Sequence, residues 1–129
     1  MRFTLILIFT VVLSLSLLWA CSGDSGGAAG AVESYNQALV EGNAERLASL
    51  SCAEWEADAR NELASFAAVK VMLENMQCSE TDQDGDTILV SCSGKIIANY
   101  GNEVLEINLE DLTYKVVLEG SEWRMCGYR

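Results

Sequence analysis

The sequence predicts an α+β domain, with three N-terminal helices packed on a bent four-stranded antiparallel meander. Two observations carry that expectation. Residues 28–76 place apolar side chains at three- and four-residue intervals, the helical period. Residues 77–128 alternate them and are cut by Asp84-Gly85, Gly101-Asn102 and Gly120-Ser121, the dipeptides of hairpin turns.

The first twenty residues stand apart. Met1-Arg2 gives a positive start and "FTLILIFTVVLSLSLLW" is an unbroken apolar run, as in a secretory signal peptide. "LWAC", Leu18 to Cys21, then resembles the bacterial lipobox, whose cysteine becomes the lipid-modified N-terminus. Trp19 is a bulky departure from that pattern. A transmembrane anchor is the other reading of the run, but "SGDSGGAAG" behind Cys21 has the composition of a flexible tether. The expected organisation is therefore leader 1–20, lipidated Cys21 with tether 21–30, and domain 31–129. This places the protein outside the cytoplasm, held to the membrane by lipid. Ser22 rather than aspartate after the cysteine resembles outer-membrane sorting if the host has two membranes.

The first helix, "AGAVESYNQALVEGN", carries Val32, Tyr35 and Leu39 on one stripe and ends at Gly42-Asn43. A short second helix, "AERLASLS", puts Leu47 and Leu50 together. The third runs from Ala53 to Met76, with Ser51 and Glu54 as a capping-box candidate. Its stripe is Trp55, Ala59, Leu63, Phe66, Val69, Leu73 and Met76, which reads as core. The expected strands are 77–83, 87–99, 103–119 and 122–128. Strand 87–99 keeps Ile88, Val90, Cys92, Ile96 and Ala98 on one face. Strand 103–119 changes phase, from Leu105, Ile107 and Leu109 to Leu112, Tyr114, Val116 and Leu118. One face cannot hold both sets, so a bulge or bend is expected at Glu110-Asp111.

Five cysteines are present, and assigning Cys21 to the lipid leaves four. In an exported domain an even number suggests two disulfides. Cys52 and Cys78 would lie at the two ends of a helix about 36 Å long, too far apart to pair. Cys78–Cys92 with Cys52–Cys126 is preferred, because consecutive strands usually lie side by side. Cys52–Cys92 with Cys78–Cys126 is the alternative. The hairpin geometry at Gly85 chooses between them. Pairs summing to 168 or 170 put Cys78 and Cys92 on one face, and pairs summing to 169 put them on opposite faces.

The segments "VESYNQALVEGNAERLASL" and "YKVVLEGSEWRM" frame residues 31–128. Their order and spacing resemble the nuclear transport factor 2-like superfamily, a cystatin-like cone. The chain is also similar to small bacterial lipoproteins of that superfamily with paired cysteines. The resemblance implies a pocket between helices and sheet. Its members include ketosteroid isomerase, scytalone dehydratase and limonene epoxide hydrolase, beside binding domains without catalysis.

Composition narrows the chemistry. Removing the leader removes Arg2 and leaves a net charge of −12 on residues 21–129, which argues against a nucleic-acid partner. No histidine occurs, so Ser–His and Cys–His nucleophile pairs are excluded. An isomerase-like site would need a carboxylate facing a tyrosine. Tyr35, Tyr114 and Asp58 are weak candidates, with Glu62 one turn beyond Asp58. Core packing explains both tyrosines, and a solvated helix face explains Asp58 and Glu62. "TDQDGDT" puts Asp82, Asp84 and Asp86 at alternate positions, but an EF-hand loop needs glycine at position 6 and glutamate at 12. Those positions are Thr87 and Ser93, so the segment reads as a hairpin turn, with no metal and no cofactor. The expected role is a non-catalytic, lipid-anchored domain. Its partner would be a small apolar ligand or an envelope protein, in an oligomeric state the sequence does not specify. An isomerase- or hydratase-like enzyme is the competing expectation. Changing Cys21 to Ala should release the protein or leave the leader uncleaved, as read by membrane fractionation and intact mass; unchanged processing would refute lipidation.

Overall fold

The computed structural model describes residues 27–129. The leader and Cys21 lie outside the described residues. Helices α1 (Ala28–Glu41), α2 (Ala44–Ser49) and α3 (Glu56–Ser65) precede strands β1 (Lys70–Asp84), β2 (Thr87–Asn99), β3 (Val104–Asn108), β4 (Thr113–Glu119) and β5 (Glu122–Tyr128). All named strand pairings are antiparallel, in the order β1-β2-β4-β5, with β3 beside β2 on the β4 side. The fold is α+β as expected, with five strands instead of four. α1 takes in residues 28–30, at the edge of the expected tether, and Ala28 is fully buried.

The split of the expected third strand has a clear cause. Ile107 faces Ile96 on β2 and Tyr114 faces Val90, so both apolar sets point to the helices. A single 3-10 turn, Leu109–Asp111, absorbs the phase change and buries Leu109 completely. It occupies the position where the sequence calls for a bend.

The third helix is much shorter than its stripe implies. α3 stops at Ser65, and residues expected as helix, 70–76, are strand. Val71 and Leu73 face the helices, and so do Met76 and Cys78. A regular strand would turn Met76 away from Leu73. A bulge between Glu74 and Gln77, with Asn75 at φ 53°, restores the inward direction. The resulting three-residue step from Leu73 to Met76 copies a helical interval. Gly94 lies opposite, where a Cβ would meet the Glu74 carbonyl oxygen at 2.4 Å. The capping box is also absent. Ser51 Oγ instead donates to the Leu47 carbonyl at 2.8 Å, and Trp55 caps α3 without a side-chain bond.

The first hairpin turns on Gly85-Asp86, with Asp84 opposite Thr87. That odd register would place Cys78 and Cys92 on opposite faces. A second bulge, between Glu80 and Asp82, shifts the register by one residue and sets Cys78 directly opposite Cys92. The two are bonded, with Cα atoms 4.0 Å apart. Cys52 is bonded to Cys126, Cα to Cα 5.2 Å. Around that bond the chain before α3 runs along the free edge of β5. Cys52 N–H donates to the Met125 carbonyl and Met125 N–H to the Leu50 carbonyl, both at 2.8 Å. On the opposite edge, Cys78 N–H donates to Glu33 Oε1 of α1 at 3.0 Å. The core lies between these edges, built on Val32, Tyr35, Leu39, Val90, Tyr114 and Met125.

The two disulfides differ in the chain they close, with sequence separations of 74 and 14. Loop-closure entropy makes the longer one worth about 1.5 kcal/mol more. The Cys52→Ser/Cys126→Ser double variant should therefore unfold at lower urea than Cys78→Ser/Cys92→Ser. Equal midpoints would show that strand pairing already closes the long loop in the unfolded chain.

Candidate functional site

Only one carboxylate reaches the aromatic interior of the described domain. Glu62 sits on α3, seven residues after Trp55 and three after the fully buried Ala59, so the helix turns it inward. Its Oε2 accepts the Tyr35 hydroxyl at 2.6 Å, and its Oε1 accepts the Tyr128 hydroxyl at 2.6 Å. Trp55 Nε1–H donates to the Tyr35 oxygen at 3.1 Å. Asn36 Nδ2 donates to the Tyr114 hydroxyl at 3.1 Å. The Tyr128 ring lies 5.2 Å from that of Tyr114 and edge-on to Trp55 at 5.6 Å. The cluster thus joins α1, α3, β4 and β5.

Tyr128 enters through a third bulge. Val116 opposes Met125, but Tyr114 opposes Tyr128, so Cys126 and Gly127 together span a single position of β4. Without the extra residue Tyr128 would face away from Tyr114. Gly127 has φ 103°, and a Cβ there would press on Trp55 Cε3 at 3.1 Å. Only glycine leaves room for both the bulge and the indole.

Burial and the Glu62 charge together fix the protonation of the tyrosines. Tyr35 and Tyr128 are held far above the ordinary value of 10.0, first by loss of hydration and then by the adjacent carboxylate. Burial pushes Tyr114 up to about 12, against the opposing bond from Asn36. All three are hydroxyl donors or acceptors, never phenolates, near neutral pH. Each Glu62 oxygen already holds a tyrosine, and Tyr35 and Tyr114 are fully buried. Side-chain hydroxyls thus take up a hydrogen-bonding position on each oxygen of the carboxylate.

Among the sequence candidates, Tyr35 and Tyr114 are both in this cluster. Asp58 is on the exposed face of α3. Glu62, expected on a solvated face, is the hub. Its spacing from Trp55 and Ala59 carried the signal. Nothing in the local pattern marked Tyr128, which depends on the Gly127 bulge, or Asn36. Asp82 accepts the Gln83 N–H at 2.8 Å, and Gln83 Nε2 donates to the Gly85 carbonyl at 2.9 Å, so "TDQDGDT" is tied into its own turn. Among the described residues, no group of three or more Cys, Asp or Glu side chains is placed to hold a metal ion.

Surface cavities lie at three places among the described residues. The first is bounded by Gly27, Leu50 and Trp123, the second by Glu33, Ser91 and the Cys78–Cys92 disulfide, the third by Leu39, Leu63 and Phe66. None is lined by Tyr35, Glu62, Tyr114 or Tyr128.

No protein-family model and no curated protein matches the chain. Solved structures do. A candidate dehydratase of the NTF2-like family from Streptomyces avermitilis aligns at TM-score 0.50 and 17% identity, over 74% of this chain and 85% of its own. The helical cell shape determining protein Pgp2 from Campylobacter jejuni aligns at TM-score 0.51 and 7% identity, over 77% of this chain and 38% of Pgp2. The chain has the NTF2-like fold, the nuclear transport factor 2-like cone that its two framing segments resemble. At these identities the likeness extends to fold alone.

The buried hydroxyls make stability pH-dependent in one direction. A folded-state value above the unfolded one means that the folded protein keeps protons the unfolded chain gives up at high pH. The contribution of these hydroxyls should be full below about pH 10 and fall above it, by up to about 1.4 kcal/mol per pH unit for each tyrosine. The Tyr114 share should be exhausted near pH 12. Urea midpoints should show this fall, and Tyr128→Phe should flatten it while costing about 1.5–3 kcal/mol near neutral pH. An unchanged alkaline slope in Tyr128→Phe would mean that the hydroxyl is solvated.

Proposed function

We propose that this protein is a non-catalytic, lipid-anchored domain on the outer side of a bacterial membrane. It binds a small apolar ligand or an envelope protein at its surface. The observation that carries the reading is the occupied carboxylate: both oxygens of Glu62 are held by the hydroxyls of Tyr35 and Tyr128. Two disulfides in so small a domain support an oxidising compartment, and the lipobox-like Leu18–Cys21 supports the anchor. The large exposed apolar residues Met72, Tyr100, Val104 and Leu105 lie on or beside β1, β2 and β3 at the end of the sheet farthest from the first hairpin, where they suit contact with a partner.

The second reading is an enzyme of isomerase or hydratase type. It draws on the convergence of a carboxylate with tyrosine hydroxyls at 2.6 Å, and on the candidate dehydratase among proteins of this fold. It requires the Tyr128 side chain to swing out and vacate the space over Glu62.

Photo-crosslinkers at Met72, Tyr100 and Leu105 in intact cells separate the two. The binding reading expects discrete adducts whose yield in Glu62→Gln stays within about twofold of the parent, because the hub does not touch the partner. Loss of the protein's cellular role in Glu62→Gln, at unchanged fold and unchanged adducts, would establish the enzyme reading instead.

A further inference from the structure

We propose that the groove between the C-terminal ends of α1 and α3 binds a short aliphatic carboxylate; this rests on the surface-binding reading above. The groove encloses about 440 Å³, inside the range of small-molecule sites, roughly 300–1,000 Å³. Leu39, Leu63 and Phe66 provide apolar surface, and Ala64, Ala67 and Ala68 are also part of the lining. Leu39 is 2% exposed, and Leu63 and Phe66 pack against the core, so this surface is held in place from behind. The alanines are exposed, and their short side chains leave the space open.

Backbone strain marks the same place. Ala68 has φ 64°, a left-handed conformation that is strained for an alanine. Glycine would adopt it freely. Such strain persists where the surrounding structure enforces it, and it concentrates at binding sites. Here it shapes the turn from α3 into β1, which bounds the groove.

Charge selects the head group. Arg60 is the only charged residue lining the groove. Its Nη2 meets Glu56 at 2.9 Å in an exposed pair one helical turn apart, an arrangement that solvent keeps weak. A guanidinium has further donors and accepts a second carboxylate readily. On a chain of net charge −11, an aliphatic wall beside this one guanidinium fits an alkyl tail ending in a carboxylate. The 14 residues of α1 put the groove about 21 Å from Gly27, so it faces away from the tethered end.

The test is calorimetric titration of octanoate into the full-length, lipid-bearing protein held in nanodiscs, with empty nanodiscs subtracted. One site is expected, with Kd on the order of 0.1 mM. Ala64→Trp and Ala67→Phe, both at exposed positions, should abolish it, and Arg60→Glu should weaken it about tenfold or more. Octylamine should not bind. The proposal is overturned if folded protein shows no saturable octanoate binding, or if the two groove-filling variants bind as the parent does. Octanol binding as tightly as octanoate would overturn the carboxylate assignment. Failure here with crosslinked adducts still present would leave the surface-binding reading standing. Recovery of chemically altered octanoate would sink the non-catalytic reading itself.

Discussion

A side chain on a strand can face only one of two ways, and every inward residue of this sheet has to satisfy that rule against the same layer of helices. Three bulges meet it. The bulge at Asn75 keeps Met76 and Cys78 on the side of Val71 and Leu73. The bulge between Glu80 and Asp82 sets Cys78 against Cys92, and the one at Gly127 turns Tyr128 toward Tyr114. Remove the second and the short disulfide cannot close. Remove the third and Glu62 loses the donor on Oε1. The 3-10 turn at Leu109–Asp111 does for the β3–β4 segment what the bulges do for β1 and β5.

The hub at Glu62 follows from that alignment. Its neighbours come from elements far apart in the chain, and each supplies a different part of what a half-buried carboxylate requires. Tyr35 and Tyr128 provide donors, Trp55 orients Tyr35, and the Tyr114 ring packs against Tyr128. A carboxylate drawn from water is costly unless it is hydrogen-bonded, and here both oxygens are. The same bonds that make the burial tolerable close the cone interior. At the centre of this chain both oxygens of the carboxylate are taken by tyrosine hydroxyls, and the groove that carries Arg60 and the left-handed Ala68 lies at the far end of α1.

The chain dictates its first two helices and its helices-then-strands plan through local pattern alone, while the third helix ends at Ser65 and the first turn sits one residue later than Asp84-Gly85. Tyr35, Tyr114 and the bend at Glu110-Asp111 were legible because period and phase involve only neighbours in sequence. The span from Leu73 to Met76 misled because a bulged strand and a helix share a three-residue interval. Glu62 was half legible, its spacing inward and its chemistry outward. A charged residue is ordinarily solvated, and nothing local announces two hydroxyls waiting for it.

What the tertiary structure alone decided is register. Whether Cys78 faces Cys92, and whether Tyr128 faces the interior, depends on an extra residue inserted in one strand relative to its partner. Such an insertion is stabilised by long-range contacts, among them the Gly94 backbone against Glu74 and the Trp55 ring over Gly127. No window of sequence contains both members of either pair. Composition and spacing determined an acidic, cysteine-bearing α+β chain behind an apolar leader. The pairing of distant strands determined that Tyr128 meets Glu62.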